Sequence, residues 1–406
     1  MRPDYRARID RFNSGLNAFV DVTNDPQGDG LAWAAKSNIA VKGLPLTAGC
    51  EAYRNRISTD DAVVIARIRA SGGTVLGTVN MHEGALGATT DNEAYGRTHN
   101  PWAEGITPGG SSGGSGAAVA AGLCDVALGT DTMGSVRIPA AYCGVQGHKP
   151  TTGLVPDAGV VPLSTTLDHV GPLARDVETL WHAMHVLADW DEPGAFMATP
   201  LEGLKIGVWT GQGDVDLTPA VESGIASVRS TLAGALALNA VAPPVYDYSR
   251  SRRAGLVVSE VEGAKEHQVS ADGPRPEGLS DTFYSLLHWG VRQSTEKVEA
   301  AYQHIRDVHA AAERVWNEVD FIIAPTAPQE AFNFAADVPA NQADFTAWAD
   351  FAQLPATAIY TGLSKAGLPL SVQVIGPQGH DRETLQVAGA LETVFGKPPM
   401  PSGYEW

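Results

Sequence analysis

Short apolar segments with the character of β-strands recur along most of the chain and alternate with helical segments. The clearest unit has a buried strand at 31–41, followed by a helix that begins after Thr59 and ends at a Ser-Gly-Gly turn at 71–73. A β-branched strand at 74–79 comes next, and this strand–helix–strand order is typical of a parallel crossover. The sequence therefore predicts an α/β fold, in which one large mixed, mostly parallel β-sheet is flanked by helices on both faces.

The same patterns assign the remaining elements. Helices are predicted at 116–124, 219–236, 251–268, 291–316 and 381–395, and further strands at 126–128, 204–209, 320–325 and 368–376. No internal repeat or low-complexity linker interrupts this series. We therefore expect a single domain over residues 1–406.

Composition and charge limit the partners of this chain. Its 406 residues carry a formal net charge of −18, which disfavours binding to nucleic acid or to an anionic membrane surface. No stretch of 18 apolar residues predicts a membrane span, and the charged first residues lack an apolar signal region. The three cysteines have no paired spacing, which favours reduced thiols. We expect a cytoplasmic protein with no nucleic-acid or membrane partner.

Two glycine-rich turns present serines next to small or apolar residues. The first turn, 109–116, places Ser111 and Ser112 between glycine pairs. Glycines allow backbone conformations that are closed to other residues and let a second group approach closely. A phosphate-binding loop is a competing interpretation, but the Lys-Ser/Thr ending of such loops is absent. A plain flexible linker is the other alternative, and the small apolar residues that follow argue against it.

The second turn, 129–137, follows the strand predicted at 126–128 and carries Ser135. Successive backbone N–H groups in such a turn can converge into a site for an anion. A carbonyl attacked by Ser135 would become an oxyanion that these groups stabilise. The alternative is a strand-end turn whose serine only caps a helix. Asp131 and Arg137 are close enough in sequence to pair and support this turn.

Lys36 is an unusual residue for the interior of a buried strand. Burial disfavours the charged ammonium and lowers its pKa toward neutrality, as a lysine base requires. The competing interpretation is an edge-strand lysine whose amine reaches solvent. The eleven histidines have no metal-ligand spacing, and His82 and His169 fit the core or the surroundings of a site better than a catalytic role. No metal or cofactor is expected.

Together these segments resemble the amidase signature family. The resemblance rests on 34–49, 77–87, 109–122, 129–144 and 148–156, with later matches at 322–328 and 367–377. It implies the amidase signature fold. Within that fold it implies a signature core at about 30–180, a variable segment at 181–317, and core strands and a helix at 318–395.

The resemblance also implies a catalytic set. Lys36 would be the base, Ser111 a proton relay in a cis peptide, and Ser135 the nucleophile that forms an acyl-enzyme. The remaining family positions are the oxyanion and substrate contacts, on Thr132, Met133, Gly134, Ser135 and Gly110, and the supporting residues, on Ser112, Asp131 and Arg137.

The chain departs from the family pattern at three positions. Met133 stands where the family usually has glycine, so we expect its side chain to shape the acyl pocket or to shift the backbone. Ser37 replaces the usual acidic residue after the lysine, a change that we expect to be tolerated. The chain is also short before Lys36 and in its middle segment, so helices that wall the substrate pocket in the family are expected to be trimmed.

Three functions are compatible with these residues. The leading hypothesis is a stand-alone amidohydrolase that cleaves a small carboxamide or ureido C–N bond and releases ammonia or an amine. A homodimer is its expected assembly, since homodimers are common among soluble enzymes. The alternative is the amidase subunit of a multi-protein glutamine-dependent amidotransferase, active only with a partner. Two residues depart from the pattern of that subunit and count against the alternative. One is Met133, and the other is His82, where the subunit usually has an acid. A catalytically inactive binding protein is the third, and the intact set of Lys36, Ser111 and Ser135 argues against it.

Overall fold

One mixed β-sheet runs through the computed structural model, which describes residues 4–24, 26–191, 194–211, 214–233 and 237–406. Its strands are β1 (Phe19–Val22), β2 (Ala32–Lys36), β3 (Thr74–Val79), β4 (Val126–Asp131), β5 (Gln146–Lys149), β6 (His169–Ala174), β7 (Lys205–Val208), β8 (Ala237–Ala240), β9 (Phe321–Pro325), β10 (Ala356–Leu363) and β11 (Pro369–Ile375). The described α-helices are α1 (Tyr5–Leu16), α2 (Val63–Ala70), α3 (Gly113–Ala120), α4 (Arg137–Cys143), α5 (Val177–Ala188), α6 (Pro219–Ala233), α7 (Tyr248–Glu266), α8 (Asp281–Val291), α9 (Thr295–Ala312), α10 (Ala347–Phe351) and α11 (Asp381–Phe395).

The strands lie in the order β1-β3-β2-β4-β6-β5-β10-β11-β9-β7-β8. The mixed sheet expected from the sequence is confirmed, but its mostly parallel character is wrong. Six of the ten neighbouring pairs are antiparallel, and the parallel pairs are confined to β3-β2-β4 and β9-β7-β8. The connections explain part of this. Residues 364–368 between β10 and β11 are too few for a crossover, so these two strands form a hairpin.

Helices cover both faces of the sheet, and the alternation of side chains along β2 shows how. Trp33 and Ala35 belong to the apolar cluster that contains α2, α5 and α11, whereas Ala32 and Ala34 belong to the cluster that contains α1 and α3. All residues of β2 are buried, which explains why the strand is apolar without alternation. Lys36 has the parity of Ala32 and Ala34, so its side chain leaves the sheet on the side of α3.

The predicted strand at 31–41 ends earlier in the structure. β2 stops at Lys36 because residues 37–39 turn away from the sheet, so Lys36 is a terminal rather than an interior strand residue. The strand predicted at 74–79 and the helix predicted at 381–395 are confirmed. Among the described helices, none combines the length and the apolar character needed to cross a bilayer.

Two predicted helices have different bounds. The segment 291–316 contains the end of α8 and all of α9, because the side chain of Ser294 accepts a hydrogen bond from the Lys297 N–H and begins a new helix. The helix predicted at 219–236 corresponds to α6 up to its end at Ala233. The last three predicted positions, 234–236, lie outside the described residues.

Small residues let α3 lie unusually close to the end of β3. All residues of α3 are buried, and they are glycines, alanines, a serine and a valine. The N–H of Gly114 donates to the Asn80 carbonyl at 3.1 Å, and a Cβ at Gly114 would lie 2.3 Å from that oxygen. This approach fixes the N-terminus of α3, and with it Ser111 and Ser112, beside the ends of the parallel strands.

We predict that Gly114→Ala destabilises the fold by about 1–3 kcal/mol, because the added methyl group meets backbone that cannot rotate away. The matched control is Gly15→Ala in α1, where nothing lies within 4 Å of the added Cβ. Gly15→Ala should leave the free energy of unfolding unchanged or slightly raise it, since alanine has a higher helix propensity than glycine. Thermal and urea unfolding of both variants measure the difference, and equal midpoints would contradict the close packing of α3.

Candidate active site

Three parallel strands end at one edge of the sheet. β2 ends at Lys36, β3 at Val79 and β4 at Asp131. The N-terminus of α3 approaches the same edge, with Ser112 at its N-cap position. In α/β sheets, the carboxyl ends of parallel strands are where ligands commonly bind. The two glycine-rich turns singled out in the sequence therefore meet here.

The amine of Lys36 is enclosed at this edge. The residue has no exposed surface, and its Nζ donates to Ser111 Oγ at 2.6 Å and to Thr130 Oγ1 at 2.7 Å. The side chain of Asn38 also reaches Thr130 Oγ1, at 3.3 Å. The lysine is thus held by hydroxyl groups, and this contradicts the alternative of an amine that reaches solvent.

Burial lowers the pKa of Lys36 to about 7, although the negative charges of Asp168 and Asp131 raise it in part. The ammonium loses its hydration when the side chain is enclosed, and two carboxylates replace only some of that stabilisation. A substantial fraction of the amine is therefore neutral near neutral pH. A neutral amine hydrogen-bonded to a serine hydroxyl is able to accept a proton from it.

The first serine turn is held by backbone contacts on several sides. The Gly110–Ser111 peptide bond is cis. The Ser111 carbonyl accepts the His82 N–H at 3.0 Å, and a Cβ at Gly110 would lie 2.7 Å from the Thr89 nitrogen. Gly110 is thus packed against the 88–89 backbone, where no side chain fits.

Ser112 connects the two turns. Its N–H donates to the Ser135 carbonyl at 3.3 Å, and its Oγ lies 3.3 Å from both the carbonyl and the amide nitrogen of Thr130. These contacts attach the first turn to the end of β4. Ser112 therefore lies between the two turns and contacts both.

The carboxylate of Asp131 organises the second turn. It accepts hydrogen bonds from the backbone N–H groups of Gly134 and Val136 and from the guanidinium of Arg137. Burial alone would raise the pKa of Asp131, but the charge of Arg137 and its hydrogen bonds outweigh burial and hold this pKa well below its usual range. Asp131 is therefore ionised at neutral pH.

The contact to Asp131 corrects one part of the predicted oxyanion site. The Gly134 N–H points to the Asp131 carboxylate, so it is not free to bind an oxyanion. The backbone N–H groups of Thr132, Met133 and Ser135 have no acceptor among the described residues. A charged carboxylate binds a nearby N–H more strongly than a neutral acceptor does. The sequence pattern does not show which N–H group the Asp131 carboxylate binds.

Arg137 has no exposed surface and joins this turn to the C-terminal part of the chain. Besides Asp131, its guanidinium donates to Asp350 Oδ2 at 2.7 Å, to the Thr346 carbonyl at 2.9 Å and to Gln373 Oε1 at 2.9 Å. The pairing with Asp131 expected from the sequence is present, at 3.0 Å. The contacts to α10 and β11 were not predicted, because they join residues more than two hundred positions apart.

Asp168 is a charged residue of the site that sequence reasoning missed. Its carboxylate accepts Thr132 Oγ1–H at 2.6 Å and the Leu163 and Ser164 N–H groups at 2.8 and 3.1 Å. Burial raises the pKa of Asp168 to about 6, although these hydrogen bonds and the charge of Lys36 lower it in part. The available signal was its place directly before the apolar segment that forms β6.

The two histidines lie beside the site. His169 Nδ1 is 3.2 Å from the Asp131 carbonyl, and its Nε2 is 2.6 Å from Thr152 Oγ1. His82 Nδ1 is 3.3 Å from Thr89 Oγ1, and burial lowers the pKa of His82 to about 4. His82 is therefore neutral near pH 7 and adds no positive charge next to Lys36.

A cavity of about 290 Å³ opens beside the second turn, and Thr132, Met133 and Ser135 form part of its wall. Met133 packs against α7 at Gly255, where an added Cβ would lie 2.5 Å from the methionine sulfur. The side chain expected to shape the acyl pocket therefore does line this cavity. A larger cavity of about 630 Å³ lies between α2 and α5, and none of the site residues predicted from the sequence lines it.

Known proteins match this chain over most of its length. The family model described as Amidase matches residues 23–385. A curated relative from Anaeromyxobacter sp. (strain K), named as a subunit of glutamyl-tRNA(Gln) amidotransferase, is 34% identical, and the match spans 97% of this chain and 92% of the relative.

Two solved structures have the same fold over nearly the full chain. One is described as a vestigial protein complex that reveals the evolutionary origins of an s-triazine catabolic enzyme, with a TM-score of 0.88, 29% identity, and coverage of 98% of this chain and 95% of the other. The second is 6-aminohexanoate cyclic dimer hydrolase complexed with its substrate, with a TM-score of 0.86, 26% identity, and coverage of 98% and 94%.

These relatives correct the partners predicted from the sequence. A small amide substrate, no nucleic acid, no membrane and a possible homodimer were expected, and this expectation is wrong in that it includes no other protein as a partner. Relatives named as an amidotransferase subunit, and a neighbour solved as a protein complex, point to protein partners. Net charge could not reveal this, because it averages over the whole surface and contains no information about a local interface.

We predict that Arg137→Met destabilises the protein by about 3–5 kcal/mol, because Asp131 and Asp350 would remain buried without their counter-charge. The control is Arg6→Met, which removes an i,i+4 ion pair on the surface. The side chain of Arg6 is 53% exposed and that of its partner Asp10 is 61% exposed. That change should alter stability by less than about 0.5 kcal/mol. Denaturant unfolding measures both, and similar effects of the two substitutions would show that Arg137 does not hold the turn.

Proposed function

This chain belongs to the amidase family, and from that premise we propose that it hydrolyses a carboxamide C–N bond as the amidase subunit of a protein assembly. Lys36, Ser111 and Ser135 are the reacting residues of this proposal. The observation that carries it is the 2.6 Å hydrogen bond between the buried Lys36 amine and Ser111 Oγ, next to a cavity whose wall contains Ser135.

In the proposed reaction, neutral Lys36 takes a proton from Ser111, and Ser111 takes the proton of Ser135. The Ser135 oxygen then forms a bond to the carbonyl carbon of the amide. A lysine pKa of about 7 suits this role, since a general base works best when its pKa lies near the working pH. The relay needs no histidine, which fits the low pKa of His82 and the contacts of His169 away from the serines.

The negative oxygen formed by this attack needs hydrogen-bond donors. The N–H groups of Thr132, Met133 and Ser135 are the candidates, because the Gly134 N–H is engaged by Asp131. Each such donor typically stabilises the transition state by about 3–4 kcal/mol. Asp131 contributes indirectly, since its carboxylate fixes the direction of the turn that carries these groups.

Collapse of the intermediate breaks the C–N bond, and the proton held by Lys36 returns through Ser111 to the leaving nitrogen. Ammonia or an amine departs, and the acyl group stays on Ser135. Water then attacks the acyl-enzyme along the same relay, releasing a carboxylic acid and restoring the Ser135 hydroxyl. Linear amides are the proposed substrate form.

The relatives support the subunit interpretation over a stand-alone hydrolase. They include a protein named as an amidotransferase subunit, similar over 97% of this chain, and a structure solved as a protein complex. A stand-alone amidohydrolase remains the second candidate. It is favoured by Met133, which places a side chain in the wall of the acyl cavity, and by the likeness to 6-aminohexanoate cyclic dimer hydrolase.

We further propose that the chain works as one domain over residues 1–406, with the signature core, variable segment and C-terminal core as its parts. Strands from β1 to β11 contribute to one sheet, which supports this division. A cytoplasmic location is proposed as well, and the three free, buried cysteines support it.

We predict that Ser135→Ala abolishes covalent labelling by a fluorophosphonate probe and lowers amide turnover at least about 10⁴-fold, because the nucleophile is lost. The assay uses the chain purified from its own host, before and after any bound protein is stripped, and measures ammonia release. The subunit interpretation expects turnover to fall when the partner is removed and to return when it is added back.

The matched control for this experiment is Ser227→Ala on the exposed surface of α6, which should keep wild-type labelling and turnover. Native turnover in Ser135→Ala would overturn the nucleophile assignment. Full activity of the stripped chain would favour the stand-alone hydrolase instead.

The pH dependence provides a separate prediction. Activity requires neutral Lys36, so kcat/KM should rise with pH through a midpoint near 7 and be lost at lower pH. Asp168 raises the pKa of Lys36 by its charge, so Asp168→Asn should move this midpoint to lower pH. A midpoint that stays in place in the variant, or a flat profile from pH 5 to 9, would count against Lys36 as the base.

A further inference from the structure

The cavity beside Ser135 is mostly apolar. Apart from the reaction turn, its walls contain Leu86, Ile138, Leu163, Leu256 and Ala343. Met133 adds its thioether from the turn itself and is seated against Gly255 of α7. An apolar group that fills this cavity gains binding free energy, because it leaves water for contact with carbon and sulfur. An ion placed there without a partner would lose its hydration and bind poorly.

The polar side chains that line this cavity mostly have partners already. Thr132 Oγ1 donates to Asp168 at 2.6 Å, and Gln342 Nε2 donates to the Pro339 carbonyl at 3.2 Å. Gln342 Oε1 accepts the Tyr142 hydroxyl at 3.2 Å. These groups are therefore committed to the protein rather than to a ligand.

Arg252 is the charged residue in the described lining, and its charge is compensated. Its Nε and Nη2 donate to the two carboxylate oxygens of Asp344, at 2.9 and 2.5 Å. Such a bidentate pair has the fixed geometry of guanidinium and carboxylate. The lining therefore offers no unpaired charge to a ligand.

Ser259 is the exception among these polar groups. It lies on α7 at seven residues from Arg252, so both face the cavity from one side of the helix. The residue is 2% exposed, and its Oγ has no hydrogen-bond partner among the described residues. A buried hydroxyl without a partner is unfavourable, and a serine hydroxyl is able both to donate and to accept a hydrogen bond.

We propose that Ser259 determines substrate specificity: its hydroxyl binds a neutral hydrogen-bonding group, such as a hydroxyl or a second carboxamide, on an otherwise apolar and uncharged amide. This inference rests on the proposed amide hydrolysis at Ser135 and adds the class of amide that is cleaved. Ser259 positions the substrate and takes no part in proton transfer.

The test compares straight-chain alkanamides of three to six carbons with their ω-hydroxy counterparts, and includes glutamine as a charged amide. The enzyme purified from its own host should show a higher kcat/KM for the hydroxylated member at one or more chain lengths. Ser259→Ala should reduce that preference about tenfold through KM rather than kcat, which corresponds to one lost hydrogen bond to a buried group. Ser259→Thr keeps a hydroxyl and should retain part of the preference.

Ser249→Ala on the exposed start of α7 is the matched control, and it should leave the preference unchanged. Thermal unfolding shows whether each variant is folded. A preference that survives in folded Ser259→Ala would overturn the inference, as would a higher kcat/KM for glutamine than for every neutral amide.

A binding assay separates this inference from the proposed function. The dissociation constants of the same amides are measured on Ser135→Ala, with and without Ser259→Ala. The inference is supported if the hydroxylated amides bind more tightly and this advantage is lost with Ser259→Ala. That result would hold even if no amide is hydrolysed, and then only the proposed function would fail. Equal binding by both proteins would overturn the inference, whatever the turnover.

Discussion

The buried contacts of Arg137 hold two distant parts of the chain in one site. A guanidinium keeps its proton in proteins, so its burial requires carboxylates close by. Asp131 at the end of β4 and Asp350 in α10 supply them, and Gln373 in β11 takes a further N–H. The turn that carries Ser135 is therefore held from two sides, by Asp131 within the turn and by residues of α10 and β11 far along the chain.

The same charges determine how the site is able to react. Asp131 takes the Gly134 N–H for the ion-pair network and leaves three neighbouring N–H groups for a ligand. It also acts with Asp168 on Lys36, opposing the fall of the lysine pKa that burial causes. Without these carboxylates the pKa of the amine would lie further below its ordinary value. Structural support and proton chemistry are thus coupled through one set of buried charges.

The sequence predicted those parts of the site that depend on local pattern. Glycine-rich turns after apolar strands, and a lysine in a buried strand, are visible as short motifs, and parallel strand ends bring them together. Asp168, the contacts of Arg137 with α10, and the wall formed by α7 were not predicted. Each of these depends on residues that are distant along the chain and meet only through tertiary packing. The antiparallel centre of the sheet was missed because β5, β6 and β10, which form most of it, were not assigned from the sequence.

Met133 illustrates how the two parts of the fold depend on each other. A methionine in place of glycine adds a long side chain to a turn that must keep its backbone fixed. The structure places that side chain where α7 has Gly255, and a Cβ on Gly255 would overlap the sulfur at 2.5 Å. The methionine side chain therefore fits at this place because Gly255 of α7 lacks a side chain. The residues proposed to cleave the bond, Lys36, Ser111 and Ser135, all precede α7 in the chain, whereas one wall of the cavity comes from the fit between Met133 and α7.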